Sequence, residues 1–368
     1  MKIVVDQNIP LANEFFSDLG DIVALPGRDM KTEDVVDADI LLVRSITQVN
    51  KQLLAGSSVK FVGSCTIGID HLDIDYLESH KLLWANAPGC NADAVVQYVF
   101  SAMAALRPQW QQQKIGIVGC GNIGSRLYHR LKVLGIDVVV YDPFLSKDSL
   151  LKGSSSKTGC HNLVSFEELL GADIITCHTP LTRAGPFPTH HLFGKGQLAR
   201  LSPNTLLINS GRGAVIDNKA LLSELSSRPL SVVLDVWENE PNIDRQLLDK
   251  VTLGTPHISG YSLEGKERGT YMVYRALCEY LNLPISEQKQ QYLSNDKSTL
   301  CLNAESLNDL ILACYDIRED DNQFRQDSRF DLLRKNYISR REYSHFTLPA
   351  NLEKSTLRDA FALIRGEK

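Results

Sequence analysis

The chain has 368 residues, enough for two or three domains at about 100–200 residues each. Hydrophobic residues make up 43% and charged residues 23%, a globular balance that excludes a disordered or collagen-like chain. Lys plus Arg number 39 against 44 Asp plus Glu, and the net charge of −5 gives neither nucleic acid nor an anionic membrane a general attraction. No apolar run approaches the ~18 residues of a membrane span. The opening residues reach Asp6 and Asn8 too early for a signal-peptide core. Eight scattered cysteines without a CxxC pair are expected to be reduced packing residues, with no disulfide frame and no metal site. A soluble, cytoplasmic enzyme is the expectation.

In chain order, Lys2–Val5, Ile40–Val43 and Lys60–Gly63 are short Val/Ile/Leu-rich runs and are predicted as buried strands. Helices are predicted between them at Asn13–Leu19 and Lys51–Ala55, and this alternation favours a parallel sheet. Asn91–Leu106 reads as one long helix with few charges, broken by Arg107-Pro108. A second α/β series follows. Its strands are predicted at Lys114–Val118, Asp137–Tyr141, Asp173–Cys177, Thr205–Asn209, Leu230–Asp235 and Val251–Leu253, with a helix at Ser125–Leu134. Leu145–Cys160 is Ser-, Lys- and Gly-rich and is expected to be a surface loop. Lys266–Leu281 is a further helix, ended by Asn282 and Pro284. From Ser286 to Lys368 the composition becomes charge-rich and the βα alternation stops, which marks a third domain.

The first chemical signal is GxGxxG at Gly119, Gly121 and Gly124, directly after a predicted strand and opening a helix. Gly119 makes a tight turn, Gly121 lets backbone amides approach a pyrophosphate, and Gly124 lets the helix pack close to the strand. The helix N-terminus offers free N–H donors and a positive dipole to phosphate. The next strand ends in Asp142, the acid expected on the ribose hydroxyls. Its charge would repel a 2′-phosphate, and Pro143-Phe144 provides no Arg to receive one, so NAD is favoured over NADP.

Three later segments supply a base and a cation, each at a predicted strand end. They are Asn209-Ser-Gly-Arg212-Gly, Asp235-Val-Trp-Glu-Asn-Glu240-Pro and Thr255-Pro-His257-Ile-Ser-Gly-Tyr261. Singly, His257 could be a loop histidine, Arg212 a solvated turn residue and Glu240 a surface acid. Glu238 competes with Glu240 as the functional acid, and spacing does not choose between them.

The ordered set GCGNIG, His178-Thr-Pro180, NSGRG, DVWENEP and TPHI resembles the D-isomer-specific 2-hydroxyacid dehydrogenases over nearly all of residues 1–285. The resemblance implies an α/β protein with a Rossmann NAD-binding domain (93–257) inserted in a flavodoxin-like substrate domain (1–92 and 258–285). A small C-terminal α+β dimerisation domain (286–368) completes it. By this likeness Arg212 binds the substrate carboxylate and 2-oxygen, His257 exchanges the proton and Glu240 pairs with His257. The cofactor would be held by Gly119, Gly121, Asn122, Ile123, Gly124, Asp142, Thr179, Ser210, Gly211, Arg212, Asp235 and Gly260, with Asp235 near the nicotinamide end.

Further segments, Leu42–Asn50, Ser64–His71, Asn86–Ala92 and Gly260–Lys266, resemble a branch of that family acting on a small phosphorylated 2-hydroxy acid. They imply substrate contacts at Ser45, Thr66 and Tyr261. A doubly anionic substrate wants cations at both ends, and Arg44 and Arg212 are candidates, although Arg44 could equally be a structural ion pair. The closest rival is a 3-phosphoglycerate dehydrogenase, whose long forms carry a βαββαβ sensing module. Leu307–Tyr315 and Ser328–Tyr337 look helical and do not repeat that pattern. A rival of another class is an NADH-sensing, corepressor-like binding protein, disfavoured because every catalytic position is filled. The tail has apolar residues at helical spacing (Leu307, Leu310, Ile311, Cys314) that call for burial, and the dimerisation domain that the resemblance implies makes a homodimer the expectation. It also carries the basic pair Arg340 and Arg341, either of which could reach a partner's substrate phosphate.

Overall fold

A computed structural model describes residues 1–145, 159–300, 304–327, 329–338, 340–349, 352 and 356–367. Most of the expected loop Leu145–Cys160 therefore lies outside the described residues, as does Ser328. The chain forms two compact units, Met1–Asn91 with Ser262–Asp296, and Ala92–Tyr261 with Lys297–Lys368.

The first unit is built on five parallel strands, β1 (Lys2–Asp6), β2 (Asp21–Leu25), β3 (Ile40–Val43), β4 (Phe61–Ser64) and β5 (Leu83–Ala85), in the order β2-β1-β3-β4-β5. That is the flavodoxin-like order. The central strand β3 is buried along its whole length, which is why it reads as an unbroken apolar run. The helix Leu263–Leu281 closes one face, placing Val273, Tyr274 and Leu277 against Phe15, Phe16 and Phe61. Its start is capped by the Ser262 hydroxyl, which accepts from the Gly265 amide, and it ends at Asn282 in the left-handed region (φ 55). Burial of each such aromatic or Leu side chain contributes about 1.5–3 kcal/mol.

The second unit holds six parallel strands in the order β11-β10-β9-β8-β6-β7. These are β6 (Ile115–Val118), β7 (Val138–Tyr141), β8 (Ile174–Cys177), β9 (Leu206–Asn209), β10 (Ser231–Leu234) and β11 (Leu253–Gly254). Beyond β7, Leu163 makes a single parallel bridge to Val140. Counting it, the strand positions run 3-2-1-4-5-6-7, the dinucleotide-binding order 3-2-1-4-5-6 with the short β11 added at the edge, and β6 and β8 flank the switch point.

The C-terminal segment adds the helices Leu307–Cys314, Ile317–Gln326, Phe330–Lys335 and Thr356–Arg365 and a two-stranded ladder, β12 (Ser298–Thr299) with β13 (Phe346–Thr347). It is α+β, as expected, but it does not stand apart. Leu307, Leu310 and Ile311 share one core with Val96, Phe100 and Met103 of the long helix Ala92–Leu106. Buried hydrogen bonds reinforce that seam: Ser101 Oγ donates to Tyr315 O (2.8 Å) and accepts from Ile317 N (3.0 Å). Compactness thus divides the chain at Asp296 rather than at Ser286.

The cysteines depart from expectation at one place. Cys65, Cys90, Cys177, Cys278 and Cys314 are free and buried, but a disulfide joins Cys120 to Cys160. The pairing is long-range, at a sequence separation of 40, and so leaves no local spacing signal.

Candidate active site

β6 delivers the chain into the glycine turn at the switch point. Gly119 sits at φ +86, and a Cβ there would stand 2.8 Å from Thr179 Cγ2. At Gly124 a Cβ would lie 2.0 Å from the Gly119 carbonyl oxygen, so only glycine lets the helix Asn122–Val133 start this close to the strand end. Around Gly121 the picture reverses: a Cβ would meet no protein atom within 4 Å. Gly121 is also the N-cap, with no side chain to satisfy the first amides of that helix. Open space before an uncapped helix start suits a pyrophosphate.

Asp142 follows β7 and accepts hydrogen bonds from Cys120 N (2.9 Å) and Phe144 N (3.1 Å). A carboxylate has about four lone-pair sites, so acceptor capacity remains for ribose hydroxyls. Thr179 Oγ1, after β8, is buried without a hydrogen-bond partner. The cradle, the acid and the orphaned hydroxyl fit a dinucleotide.

The catalytic candidates follow three neighbouring strands. Leu234 of β10 pairs with Asn209 of β9 on one side and with Gly254 of β11 on the other, so the segments after them emerge side by side. Asn209 shapes the Ser210–Arg212 turn, donating from Nδ2 to Arg212 O (3.0 Å) and accepting from Gly211 N (3.1 Å). Arg212 is half-buried, with Nη1 donating to its neighbour's carbonyl, Gly211 O, at 2.9 Å.

His257 carries φ +57, a strained conformation for a residue with a side chain. Asp235 holds it there. Its carboxylate, fully buried, accepts from Thr255 Oγ1 (2.7 Å), Ile258 N (2.7 Å) and Ser259 N (3.0 Å), while its carbonyl accepts from His257 N (2.7 Å). Expected at the nicotinamide, Asp235 spends these bonds on the His257 loop.

The two acids of DVWENEP now separate. Glu240 Oε2 lies 2.7 Å from His257 Nδ1, and its Oε1 accepts from Trp237 N (2.8 Å). Burial alone would push the Glu240 carboxyl up, but the charge and hydrogen bond of His257 and the Trp237 amide hold it below the usual carboxylate value. Glu238 turns to His191 instead, with Oε1 2.7 Å from Nε2, and accepts from Asn218 N on its other oxygen (3.1 Å). His190, His191 and Glu238 place one ligating atom each within 4.8 Å of one another, on half-buried side chains. Asn218 was not legible as a site residue, since nothing marks it apart from its place after an N-cap aspartate.

His178, in the HTP segment, is buried between the Thr176 (3.0 Å) and Ser210 (3.3 Å) hydroxyls, and burial pushes it down to about 3. Gly260 and Tyr261 follow the His257 loop. In the first unit, exposed Ser45 lies after β3 and Thr66 after β4, its hydroxyl 2.9 Å from Ser64 Oγ. Arg44 forms an ion pair, its Nε lying 3.0 Å from Oδ2 of fully buried Asp6.

The family model for the NAD-binding domain of D-isomer specific 2-hydroxyacid dehydrogenases matches residues 92–259, and a domain of unknown function (DUF3410) matches residues 288–362. Among curated relatives, the erythronate-4-phosphate dehydrogenase of Saccharophagus degradans is 47% identical, covering 95% of each chain. That of Cellvibrio japonicus is 45% identical over 97% of each. A solved NAD-bound 3-phosphoglycerate dehydrogenase from Entamoeba histolytica shares the fold at a TM-score of 0.63 and 23% identity, covering 77% of this chain and 95% of its own. The chain belongs to the NAD-dependent D-isomer specific 2-hydroxyacid dehydrogenases, and near full-length relatives of it are named erythronate-4-phosphate dehydrogenase.

Proposed function

We propose that this protein oxidises 4-phospho-D-erythronate to (R)-3-hydroxy-2-oxo-4-phosphobutanoate, a step of pyridoxal 5′-phosphate (vitamin B6) biosynthesis. The observation that carries the chemistry is the Glu240–His257 pair at 2.7 Å, beside the strand end that delivers Arg212. NAD supplies the hydride acceptor when bound. With Nδ1–H donated to Glu240, the His257 tautomer leaves Nε2 free to take the proton of the substrate 2-hydroxyl. Negative Glu240 then stabilises the imidazolium that forms. The guanidinium of Arg212 holds the carboxylate and the 2-oxygen in a fork an ammonium would not reproduce. Ser45, Thr66 and Tyr261 contact the rest of the substrate.

Relatives of the same name at 45–47% identity over nearly the whole chain support the substrate. A homodimer formed through the C-terminal segment and a cytoplasmic location belong to this reading; among the described residues no helix is long and apolar enough to cross a membrane.

The test is to offer the purified protein 4-phosphoerythronate, 3-phosphoglycerate and D-lactate with NAD, with 2-oxo acids present to re-oxidise NADH. Turnover of the first well above the other two is expected; preference for 3-phosphoglycerate, or NADH binding with no turnover at all, would reject the reading. Replacing Asp142 by Ala should weaken NAD about tenfold, the worth of a charge-assisted hydrogen bond, and relax discrimination against NADP. Equal use of both cofactors by the unaltered protein counts against Asp142 as the selector. Truncation after Pro284 should abolish the dimer in sedimentation; a truncated chain that still dimerises removes the C-terminal segment from that role.

A further inference from the structure

The C-terminal segment offers several arginines, and the structure sorts them. Arg340 is committed to the interior. It is 5% exposed, its Nη2 donates to the carbonyls of Ala94 and Ser259, and its guanidinium lies 4.2 Å from the Tyr315 ring centroid. An arginine locked to main-chain carbonyls of its own chain is not presented to a ligand in another. Arg334, on the helix Phe330–Lys335, differs. Its guanidinium lies 5.5 Å from the ring centroid of Tyr261, four residues past the catalytic histidine. The Tyr261 ring is braced from another side by Tyr337, edge-on at 6.0 Å.

Two features set the state of Arg334. Its Nε is buried without a hydrogen-bond partner, although Asp331, three residues earlier on the same helix, acts on the guanidinium electrostatically. Glu240 is close enough to act on it electrostatically, yet that carboxylate is already engaged by His257 Nδ1 and Trp237 N. A desolvated guanidinium in this state is costly unless an anion completes it. Tyr261 meets the guanidinium on one side, through its ring and a side-chain hydrogen bond, and the remaining N–H groups suit an oxyanion.

We propose that Arg334 is the specificity-determining cation that receives the phosphate end of the substrate, at the Tyr261 side of the His257 loop. The inference rests on the phosphorylated-acid reading above. It assigns the two anionic ends to two arginines: the carboxylate to Arg212 and the phosphate to Arg334. It also gives the C-terminal segment a role in substrate choice within its own chain.

The test compares kcat/KM for 4-phosphoerythronate and for unphosphorylated erythronate in the wild type, Arg334→Gln and Arg334→Lys, with NAD affinity as a check on folding. The preference for the phosphorylated acid is expected to fall about 10–10²-fold in Arg334→Gln, the worth of hydrogen bonds to a charged group, chiefly through KM. Lys should recover part of it as a point charge without the fork. Should Arg334→Gln prove insoluble, Arg334→Lys must still lose part of the preference. An unchanged preference in a variant that binds NAD overturns the proposal. So does an equal loss for both acids with a shifted pH profile, because Arg334 would then act through Glu240. If the wild type turns over no phosphorylated acid, the substrate reading fails separately, and the site is judged by calorimetry with inorganic phosphate on the NAD complex. Binding that is lost in Arg334→Gln sustains the anion site; binding equal in both, or absent from the wild type, overturns it.

Discussion

One segment, Asp235–Pro241, feeds two histidine–carboxylate pairs that share a bond length and a backbone region and differ in their surroundings. Glu240 to His257 and Glu238 to His191 are both 2.7 Å contacts, and both histidines sit at positive φ (57 and 52). The surroundings separate them. His257 hangs on a loop whose amides are gathered by buried Asp235, next to the turn of Arg212. His191 hydrogen-bonds through its backbone N to Ala214 O, and its partner Glu238 exchanges two 3.1 Å hydrogen bonds with Asn218, backbone amide to side chain each way. The first pair lies after a strand end adjacent to the one that leads to Arg212. The second ties three connecting segments together. A short His–carboxylate distance is thus not a catalytic signature; the neighbours of the pair decide.

The largest effect that would break this comparison is on His257. Replacing it with Asn should leave NAD affinity unchanged and cut turnover about 10²–10⁴-fold, the usual worth of a positioned general base. Near-normal turnover under rate-limiting chemistry would remove His257 from that role. Next comes Glu240→Gln, which keeps the shape and removes the charge facing the imidazolium; a loss of about 10–10²-fold in kcat is expected. Its pH signature has a definite sign. The Glu240 carboxyl is held below its ordinary value of 4.5, so the stability it contributes is fully present above that pH and is lost as pH falls through the lower, folded value. Acid unfolding curves of the wild type and Glu240→Gln should therefore converge only at low pH, and curves that stay parallel would contradict the assignment.

His178 sharpens the contrast, because it has hydroxyl neighbours and no carboxylate. Its folded value of about 3 lies below the ordinary 6.5, so the unfolded chain binds the proton first as pH falls. Stability is then lost from about pH 6.5 downward, at about 1.4 kcal/mol per pH unit, until the folded value is reached. Urea melts at pH 7 and pH 5 should differ by about 2 kcal/mol more in the wild type than in His178→Gln. An identical difference in both proteins would show that His178 is not held neutral.

Legibility in the sequence followed burial and locality. Strands buried on both faces, such as Ile40–Val43, appear as apolar runs and were placed to the residue. The strands Asp21–Leu25 and Leu83–Ala85 escape the reading: both lie at sheet edges and neither has a fully buried residue. The lone bridge of Leu163 is a single residue and has no period to detect. Within the site, the glycine geometry and the placement of residues at strand ends are readable, since a few neighbouring bonds set them. What resisted reading was long-range: the choice between Glu238 and Glu240, the pairing of Cys120 with Cys160, the burial of Arg340, and the approach of Arg334 to Tyr261, 73 residues earlier in the chain. Each depends on which segment packs where, and spacing does not encode it.

The smallest predicted effect belongs to the second pair and completes the comparison. Glu238 and His191 are partly exposed, with side-chain exposures of 22% and 35%, so water screens their interaction and the pair itself contributes about 1 kcal/mol or less. Glu238→Ala also removes the acceptor for the Asn218 amide, a further ~1 kcal/mol. A stability loss of about 1–2 kcal/mol in urea denaturation is expected, with kcat within about threefold of wild type. The loss should be matched by His191→Asn to within a few tenths of a kcal/mol of the pair's share, and the double variant should show less than the sum, because both changes cut the same contact. If Glu238→Ala instead lost as much turnover as Glu240→Gln without losing stability, the two acids would be functionally equivalent. The distinction drawn from their neighbours would then fail.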